Sequence, residues 1–505
     1  MMGLKGHQKL PTNWHDREKL RDKGQFWTPD WVAEAMVSYI AEDTELIFDP
    51  ATGKGAFFEA LKNLNKPEIS YFGTDIDSEV LAEEIYINPS CHVELRDFLK
   101  NPPQRKFKAI VANPPYIRHH RIDEQTKTFL KQLCKKITGF VIDGRAGYHI
   151  YFFLQALSRL EPGGKLAFIM PADTCEGTFA KNLWRWISEK YRIECVITFN
   201  EKATPFPNVD TNAMIFLIRN ATPNKNLFWV KVNQAHSDNL LQFISSGFKK
   251  RGLERIEITD RSIEEALDTG LSRPEQKHNG FKFRLNDFAT VMRGIATGAN
   301  DFFFLTRKQV EELKIPKDYL KIAVGRTKDV NGDIITTDGI ELLEKNNRPT
   351  YLFSINGHDI SPKAVSGYLR VGEELGLPGR PLIKQRKPWY KMEKREIPPL
   401  LFAYLGRRNT RFIKNEAGVL PLTGFLCVYP IHNDKEYIDN LWRVLNHPDT
   451  LKNLHLVGKS YGSGAIKVEP RNLALLPIPD HVIELFDLKH PVKKKEEQLN
   501  IFKRS

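Results

Sequence analysis

The chain has 505 residues, too many for one ordinary core, so its length points to two or three domains. Its 41% hydrophobic and 27% charged content is that of a globular protein; no run of about 18 apolar residues occurs, and no apolar h-region follows the polar start "MMGLKGHQKLPTNWHDREKLRDKG". A cytoplasmic protein without a membrane partner is therefore expected, rather than a membrane-spanning or secreted one. The net charge of +13 is unevenly placed: residues 1–220 hold 29 Lys and Arg against 28 Asp and Glu, whereas the remainder holds 46 against 34. An excess confined to one part suggests a polyanion-binding region joined to a neutral one. Five scattered cysteines, without a CxxC pair or a Cys/His cluster, argue against disulfides and against a metal site.

In chain order, "WVAEAMVSYI" (31–40) has helical periodicity and Leu46 to Pro50 reads as a strand. Tyr71 to Asp75 is strand-like, "SEVLAEEIYI" (78–87) is helical, and His92 to Leu95 and Phe107 to Ala112 are short strands. A helical "YHIYFFLQALSRL" (148–160) follows, then strands at Lys165 to Met170, Glu194 to Phe199 and Ala213 to Arg219. Strands alternating with helices predict a doubly wound, mostly parallel α/β sheet of Rossmann-like type, whose ligand lies beyond the C-terminal ends of the strands.

Each candidate motif falls at such an end. In "DPATGKGAFFEAL" (49–61), Gly53 and Gly55 stand between strand and helix, where glycine permits a tight turn and close approach of a ligand. The spacing matches neither a P-loop nor a full GxGxxG pattern. Asp75 ends the next strand about 20 residues on, placed for an acidic side chain to accept from both hydroxyls of a ribose. Asp97 and Phe98 follow the third strand and suit the edge and plane of an adenine, although in isolation the pair reads as a helix cap and a core ring. After Phe107 to Ala112, Pro114 and Pro115 cannot continue a sheet ladder, so Asn113 to Tyr116 forms a stiff loop at a strand end.

As an ordered set, these motifs resemble the gamma-class S-adenosylmethionine-dependent adenine-N6 DNA methyltransferases of type II restriction–modification systems. "GQFWTPDWVAEAMVSYI" (24–40) is similar to the family's motif X and precedes the glycine loop, as in that class; the resemblance covers residues 24–219. It implies a class I methyltransferase fold with S-adenosyl-L-methionine as cofactor. It places Thr28 and Pro29 by the methionine carboxylate, and Asp49, Ala51, Gly53 and Gly55 under the methionine part. It assigns Asp75 to the ribose, Ile76 and Phe98 to the faces of the adenine, Asp97 to its amino group, and Asn113 to the border between cofactor and target. Tyr148-His149-Ile150 departs from the Asp-Leu-Tyr that many relatives carry, which leaves the role of that segment open.

The resemblance gives the stiff loop a chemical purpose. An adenine amino nitrogen is a poor nucleophile because its lone pair is delocalised into the ring. With the Asn113 side-chain oxygen and the Pro114 carbonyl each accepting one N–H, the nitrogen is drawn toward tetrahedral geometry, and the prolines fix the carbonyl in advance. Asn113, Pro114 and Tyr116 are thus the expected catalytic set. Tyr116 stacks on a base flipped from the duplex, and Phe206 resembles the motif VIII aromatic that packs at that base's edge. Arg118, His119, His120 and Arg121 stand either near the surrounding phosphates or in a solvated loop.

The expected domains are a catalytic methyltransferase domain over 1–220, a connecting region over 221–275, and a mixed α+β target-recognition domain over 276–505. The last holds basic residues among aromatics, notably "IKQRKPWYKMEKREIPPLLFAYLGRRNTRFIKN" (383–415), with glycine-bearing segments at 291–305 and 458–479 that resemble recognition-domain segments, and a charged tail from residue 490. The expected partners are double-stranded DNA and a separate restriction endonuclease, with the enzyme a monomer. Rival readings are a glutamine-N5 protein methyltransferase, which shares Asn-Pro-Pro-Tyr but needs no large basic domain, an RNA methyltransferase, and a non-catalytic DNA-binding protein.

Overall fold

Successive residues of a strand point to opposite faces of its sheet, and in the N-terminal half both faces are apolar. The computed structural model describes residue 24 and residues 26–489, apart from 82–83, 143–145, 176–179, 201–202, 207–211, 274–280, 356, 404–409 and 461–465. Two compact units divide the chain, one up to residue 277 and the other from residue 278.

The first unit runs α1 (Asp30–Ile40), β1 (Leu46–Asp49), α2 (Ala56–Asn63), β2 (Ser70–Asp75), β3 (Cys91–Leu95), β4 (Phe107–Ala112), α3 (Glu124–Thr138) and α4 (Tyr148–Ser158). It continues with β5 (Leu160–Pro171), α5 (Ala180–Lys190), β6 (Arg192–Phe199), β7 (Ala213–Arg219), β8 (Asn226–Val232) and β9 (Ile256–Ser262). The nine strands form one sheet in the order β3-β2-β1-β4-β5-β7-β6-β8-β9. β1 pairs in parallel with both β2 and β4, so the strand order reverses between β1 and β4 and a crevice opens beyond their C-terminal ends. Antiparallel β7 sits between β5 and β6.

Residue parity sorts the core into two layers. Phe48, Phe72, Ile110, Phe168 and Phe216 face α3, α4 and α5 on one side, while Ile47, Tyr71, Val111, Ile169 and Ile215 face α1 and α2 on the other. Helix α1 is buried along most of its length, including Val32, Ala33, Met36 and Val37, as expected of a helix laid flat on a sheet. It starts directly after Pro29, whose carbonyl accepts from Val32 and Ala33.

Two expectations for this unit change. Residues 221–275 are no mere connection, because β8 pairs in parallel with β6 and β9 pairs antiparallel with β8. β9 hides its strand character in the polar "IEITDRS", since an edge strand needs few apolar residues. The helix expected over 78–87 shrinks to a turn at Ser78–Leu81 and a 3-10 turn at Glu84–Tyr86. Pro89 disfavours helical backbone at Asn88, and the Tyr86 hydroxyl is engaged with the glycine loop.

The second unit is mixed α+β. Its largest sheet takes β10 (Ala289–Arg293), β11 (Leu400–Ala403), β12 (Arg411–Asn415) and β13 (Phe425–Pro430) in the order β10-β13-β11-β12, followed by the short strand Ile334–Ile335. Leu400, Leu401 and Phe402 are fully buried in its centre. Among the described residues, no helix is long and apolar enough to cross a membrane.

Candidate active site

The C-terminal ends of β1 to β4 surround a cavity of about 720 Å³, in the size range of a cofactor pocket. A larger depression, about 1320 Å³, lies at the opposite ends of the strands among Leu46, Ile69 and Phe107. It has neither the glycine loop nor the Asn-Pro-Pro segment, which line the smaller cavity.

The glycine loop bends because Gly53 and Gly55 adopt φ of +51° and +77°. The two do different work. A Cβ on Gly53 would meet nothing within 4 Å, whereas one on Gly55 would press on Ile85 and Tyr86 at 3.0–3.2 Å. Gly53 lines the cavity and its N–H donates to Asp75 Oδ2 at 2.9 Å, while the Asp77 N–H donates to Asp75 Oδ1 at 2.9 Å. Each carboxylate oxygen keeps a lone pair, and the two held together suit a vicinal diol. Burial pushes the Asp75 carboxyl above its ordinary pKa, and these N–H donors pull it back.

Beside it, Ile76 is 72% exposed on the rim, an apolar residue left out of the core. Asp97 caps a turn rather than a helix, its Oδ1 accepting from the Leu99 and Lys100 N–H groups, and it also lines the cavity. Phe98 does double duty as well: it lines the cavity and is only 1% exposed, packed on Phe48 and Phe152. Ala51 and Thr28 complete that wall.

Asn113 leaves the end of β4 with its amide nitrogen donating to the Phe26 carbonyl at 2.6 Å and to Thr28 Oγ1 at 3.1 Å. A carbonyl only accepts, so the opposite amide orientation would set two oxygens against each other. The orientation leaves Asn113 Oδ1 buried without a partner, an acceptor held ready for an outside donor. Tyr116 donates its N–H to the Gly24 carbonyl at 2.9 Å. Gly24 has φ of +62°, and a Cβ there would lie 2.6 Å from that same nitrogen, so only glycine fits beneath the loop. The Tyr116 ring sits 5.2 Å from Phe26, 6.1 Å from Phe206 and 5.9 Å from His149, its hydroxyl buried and unpartnered.

Four of the expected site residues lie behind the cavity wall rather than on it. Asp49 does not reach the cavity: it is fully buried, with Oδ1 accepting from the Ala51 N–H and Oδ2 from the Tyr71 hydroxyl, so it holds the glycine loop from behind. Desolvation pushes its carboxyl up to about 7. Pro29 is likewise spent on starting α1, and Gly55 on packing under Tyr86. Phe206 is 4% exposed and packs on Phe26 and Tyr116, a support for the aromatic wall rather than a free face. The residues that followed it, 207–211, lie outside the described residues.

Sequence reasoning missed Phe26, Gly24 and His149. Phe26 and Gly24 stand in the segment already singled out as 24–40, and the glycine and aromatic before Thr28 were the available signal. His149 is 8% exposed, with Nε2 bonded to Thr174 Oγ1 at 3.0 Å. Burial lowers its pKa to about 4, with Asp173 opposing, so the ring beside Tyr116 is neutral near pH 7. Arg118 and Arg121 are exposed after the catalytic loop.

In the second unit, taken by itself, the glycines of 291–305 serve internal packing. A Cβ on Gly294 would lie 2.2 Å from the Leu422 carbonyl oxygen, and one on Gly298 2.9 Å from the Ile383 side chain. Of the basic stretch 383–415, residues 400–403 and 411–415 are sheet strands, while Lys384, Lys387, Lys391 and Lys394 are exposed. Residues 404–409 and 461–465 and the tail from 490 lie outside the described residues.

Residues 14–289 match the family model described as "N-6 DNA Methylase", and residues 273–501 match "Type II methyltransferase M.Eco57I, C-terminal domain". The chain is 28% identical over 469 residues to the Type II methyltransferase M.AccI of Acinetobacter calcoaceticus, covering 89% of this chain and 84% of that one. It is 24% identical over 477 residues to the Type II methyltransferase M.XamI of Xanthomonas campestris pv. amaranthicola, covering 90% and 85%. A solved structure of the type IIL restriction-modification enzyme MmeI in complex with DNA shares the fold at a TM-score of 0.52, with 13% identity over 92% of this chain and 64% of that one. More than half of the chain lies within the methylase match, and on that ground the protein belongs to the N-6 DNA methylase family: it is an adenine-N6 DNA methyltransferase.

Proposed function

We propose that this enzyme methylates adenine N6 at a specific site in double-stranded DNA, with S-adenosyl-L-methionine as cofactor, as the modification enzyme of a type II restriction–modification system alongside a separate endonuclease. The observation that carries the reading is the Asn113 amide, fixed by an acceptor-only carbonyl so that its buried oxygen is free. The chain's motif order, with the Thr28 segment before the glycine loop and the basic region last, supports the gamma class. The Type II methyltransferases M.AccI and M.XamI match over most of their length, which supports the restriction–modification setting.

The residues present fit the cofactor: a carboxylate with paired free lone pairs, an open glycine and an exposed apolar rim residue line one cavity. Asp75 would hold the ribose, Ile76 and Phe98 the adenine faces, Asp97 its amino group, and Thr28, Ala51 and Gly53 would border the methionine part. When bound, the cofactor supplies a sulfonium methyl group. Asn113 Oδ1 and the Pro114 carbonyl accept the two N–H groups of the target amino nitrogen, which localises its lone pair toward the cavity. Asn113 needs no general-base neighbour, since the methylated nitrogen becomes acidic and releases its proton afterwards.

The target must be flipped out, at a cost of a few kcal/mol, and a ring such as Tyr116 offsets about 1 to 3 kcal/mol of that by stacking. Phe26 and, edge-on, Phe206 pack against that ring. Sequencing the modified bases in DNA from cells expressing the wild type and Asn113→Ala tests the proposal. N6-methyladenine at one sequence context with the wild type only is expected. A labelled methyl group found on protein glutamine or on RNA would overturn it.

A further inference from the structure

The side of the glycine loop that faces away from the cavity is built from hydroxyls. Asp49 Oδ2 accepts from the Tyr71 hydroxyl at 2.7 Å, and Tyr71 is 2.7 Å from Thr52 Oγ1. Thr52 Oγ1 is 3.0 Å from the Tyr86 hydroxyl, which donates to the Gly53 carbonyl at 2.5 Å. Gly53 then donates its N–H to Asp75 Oδ2 at 2.9 Å. The chain of contacts runs from a fully buried carboxylate to the one that faces the cavity.

Gly53 is the residue at which this matters. It is left-handed, and it has no side chain of its own to anchor it. Its two peptide groups are pinned from opposite sides, the carbonyl by Tyr86 and the N–H by Asp75. The Tyr86 hydroxyl also lies 3.3 Å from the Thr52 carbonyl, which belongs to the peptide unit whose N–H Gly53 gives to Asp75. Without that hydroxyl both peptide units flanking Gly53 lose this restraint, and the Thr52 carbonyl keeps only the Gly55 N–H, so the N–H that orients Asp75 is held less firmly. Tyr86 comes from the 3-10 turn Glu84–Tyr86, a segment that no cofactor motif includes. Burial holds its phenol well above the usual range, with Asp49 and Asp75 adding to the rise, so it is a constant proton donor. Its ring also lies against Gly55, so replacing only the hydroxyl leaves the packing in place.

We infer that Tyr86 is a positioning residue which, through Gly53, aims the Asp75 carboxylate and so sets the enzyme's discrimination for a ligand bearing a ribose diol. The inference rests on the cofactor reading given above. Thr52 and Tyr71 carry the same restraint back to Asp49.

The test is calorimetric, on the full chain, with S-adenosylhomocysteine and its 2′-deoxy analogue as probes. Wild-type protein should bind the ribose form about tenfold more tightly, the size of one charge-assisted hydrogen bond. Tyr86→Phe should weaken the ribose form about five- to tenfold and leave the deoxy form nearly unchanged, collapsing the ratio. Thr52→Val should shift the ratio in the same direction and Thr52→Ser should restore it, which a merely structural defect would not do. Equal losses for both probes in Tyr86→Phe, or an unchanged ratio, would overturn the inference. If Tyr86→Phe does not fold, the Thr52 pair decides by the same ratio. Failure of wild-type protein to bind either probe would instead refute the cofactor reading itself.

Discussion

Replacing Thr28 with valine isolates what the hydroxyl does for Asn113, because valine keeps the branched shape of a side chain that is only 6% exposed. The Asn113 amide has two N–H groups, placed on the Phe26 carbonyl and on Thr28 Oγ1. Thr28→Val leaves the second without an acceptor in a buried setting, a cost of about 1 to 3 kcal/mol. The orientation that keeps Oδ1 free is then held by one bond instead of two. If that cost falls on the catalytic arrangement, methyl transfer slows by about 5- to 150-fold. Asn113→Ala removes the acceptor itself and should cost about 10²- to 10³-fold, the scale seen when one preorganised polar group is lost. The assay is transfer of a labelled methyl group to duplex DNA, with kcat and KM taken separately and affinities for DNA and cofactor measured in parallel. The loss should fall on kcat, and Thr28→Ser should retain most of the wild-type rate. Thr28→Val with an unchanged kcat, or an Asn113→Ala variant within a few-fold of wild type, would refute the reasoning.

The sheet was legible because its strands are buried on both faces: continuous runs such as "FKAIVA" and "AMIFLIR" leave little choice. β9 was not, because an edge strand can be polar. The site was legible wherever a residue type permits only one use. Two prolines after an apolar run must leave the sheet, and an acid at a strand end must find donors. It was illegible where the use depends on which lone pairs are already taken. Asp49 and Asp75 both end parallel strands, yet Asp49 spends its oxygens on Tyr71 and Ala51 while Asp75 keeps part of its capacity for a ligand. The partner that decides this, Tyr71, lies 22 residues away in the chain. Glycines show the same limit: Gly53 faces open space, whereas Gly294 makes room for the Leu422 backbone.

His149 and Asp49 should leave opposite marks on the pH dependence of stability. His149 has a folded pKa of about 4 against an ordinary 6.5, so the unfolded chain takes up a proton that the fold refuses, and stability falls as pH drops from 6.5 toward 4. Asp49 is raised to about 7, so its fold binds a proton first and stability falls as pH rises from 3.8 toward 7. Urea denaturation at pH 7 and pH 5 should therefore show His149→Gln losing about 2 kcal/mol less on acidification than wild type; parallel behaviour would refute the neutral buried ring. In the second unit, exchanging the exposed Lys384, Lys387, Lys391 and Lys394 for glutamine should lower the slope of log affinity against log salt by up to about 0.9 per lost phosphate contact, and an unchanged slope would place the phosphate path elsewhere. The two glycines of the loop give the last test. Alanine at either must hold a left-handed φ, a strain of roughly 1 to 2 kcal/mol. Gly53→Ala adds only that to the fold but puts a methyl group into open space beside the cavity, so cofactor affinity should fall far more than thermal stability. Gly55→Ala also drives a methyl group to 3.0–3.2 Å from Ile85 and Tyr86, so its melting temperature should drop well below that of Gly53→Ala. Equal melting temperatures, with Gly53→Ala binding cofactor normally, would mean that neither glycine does the work assigned to it.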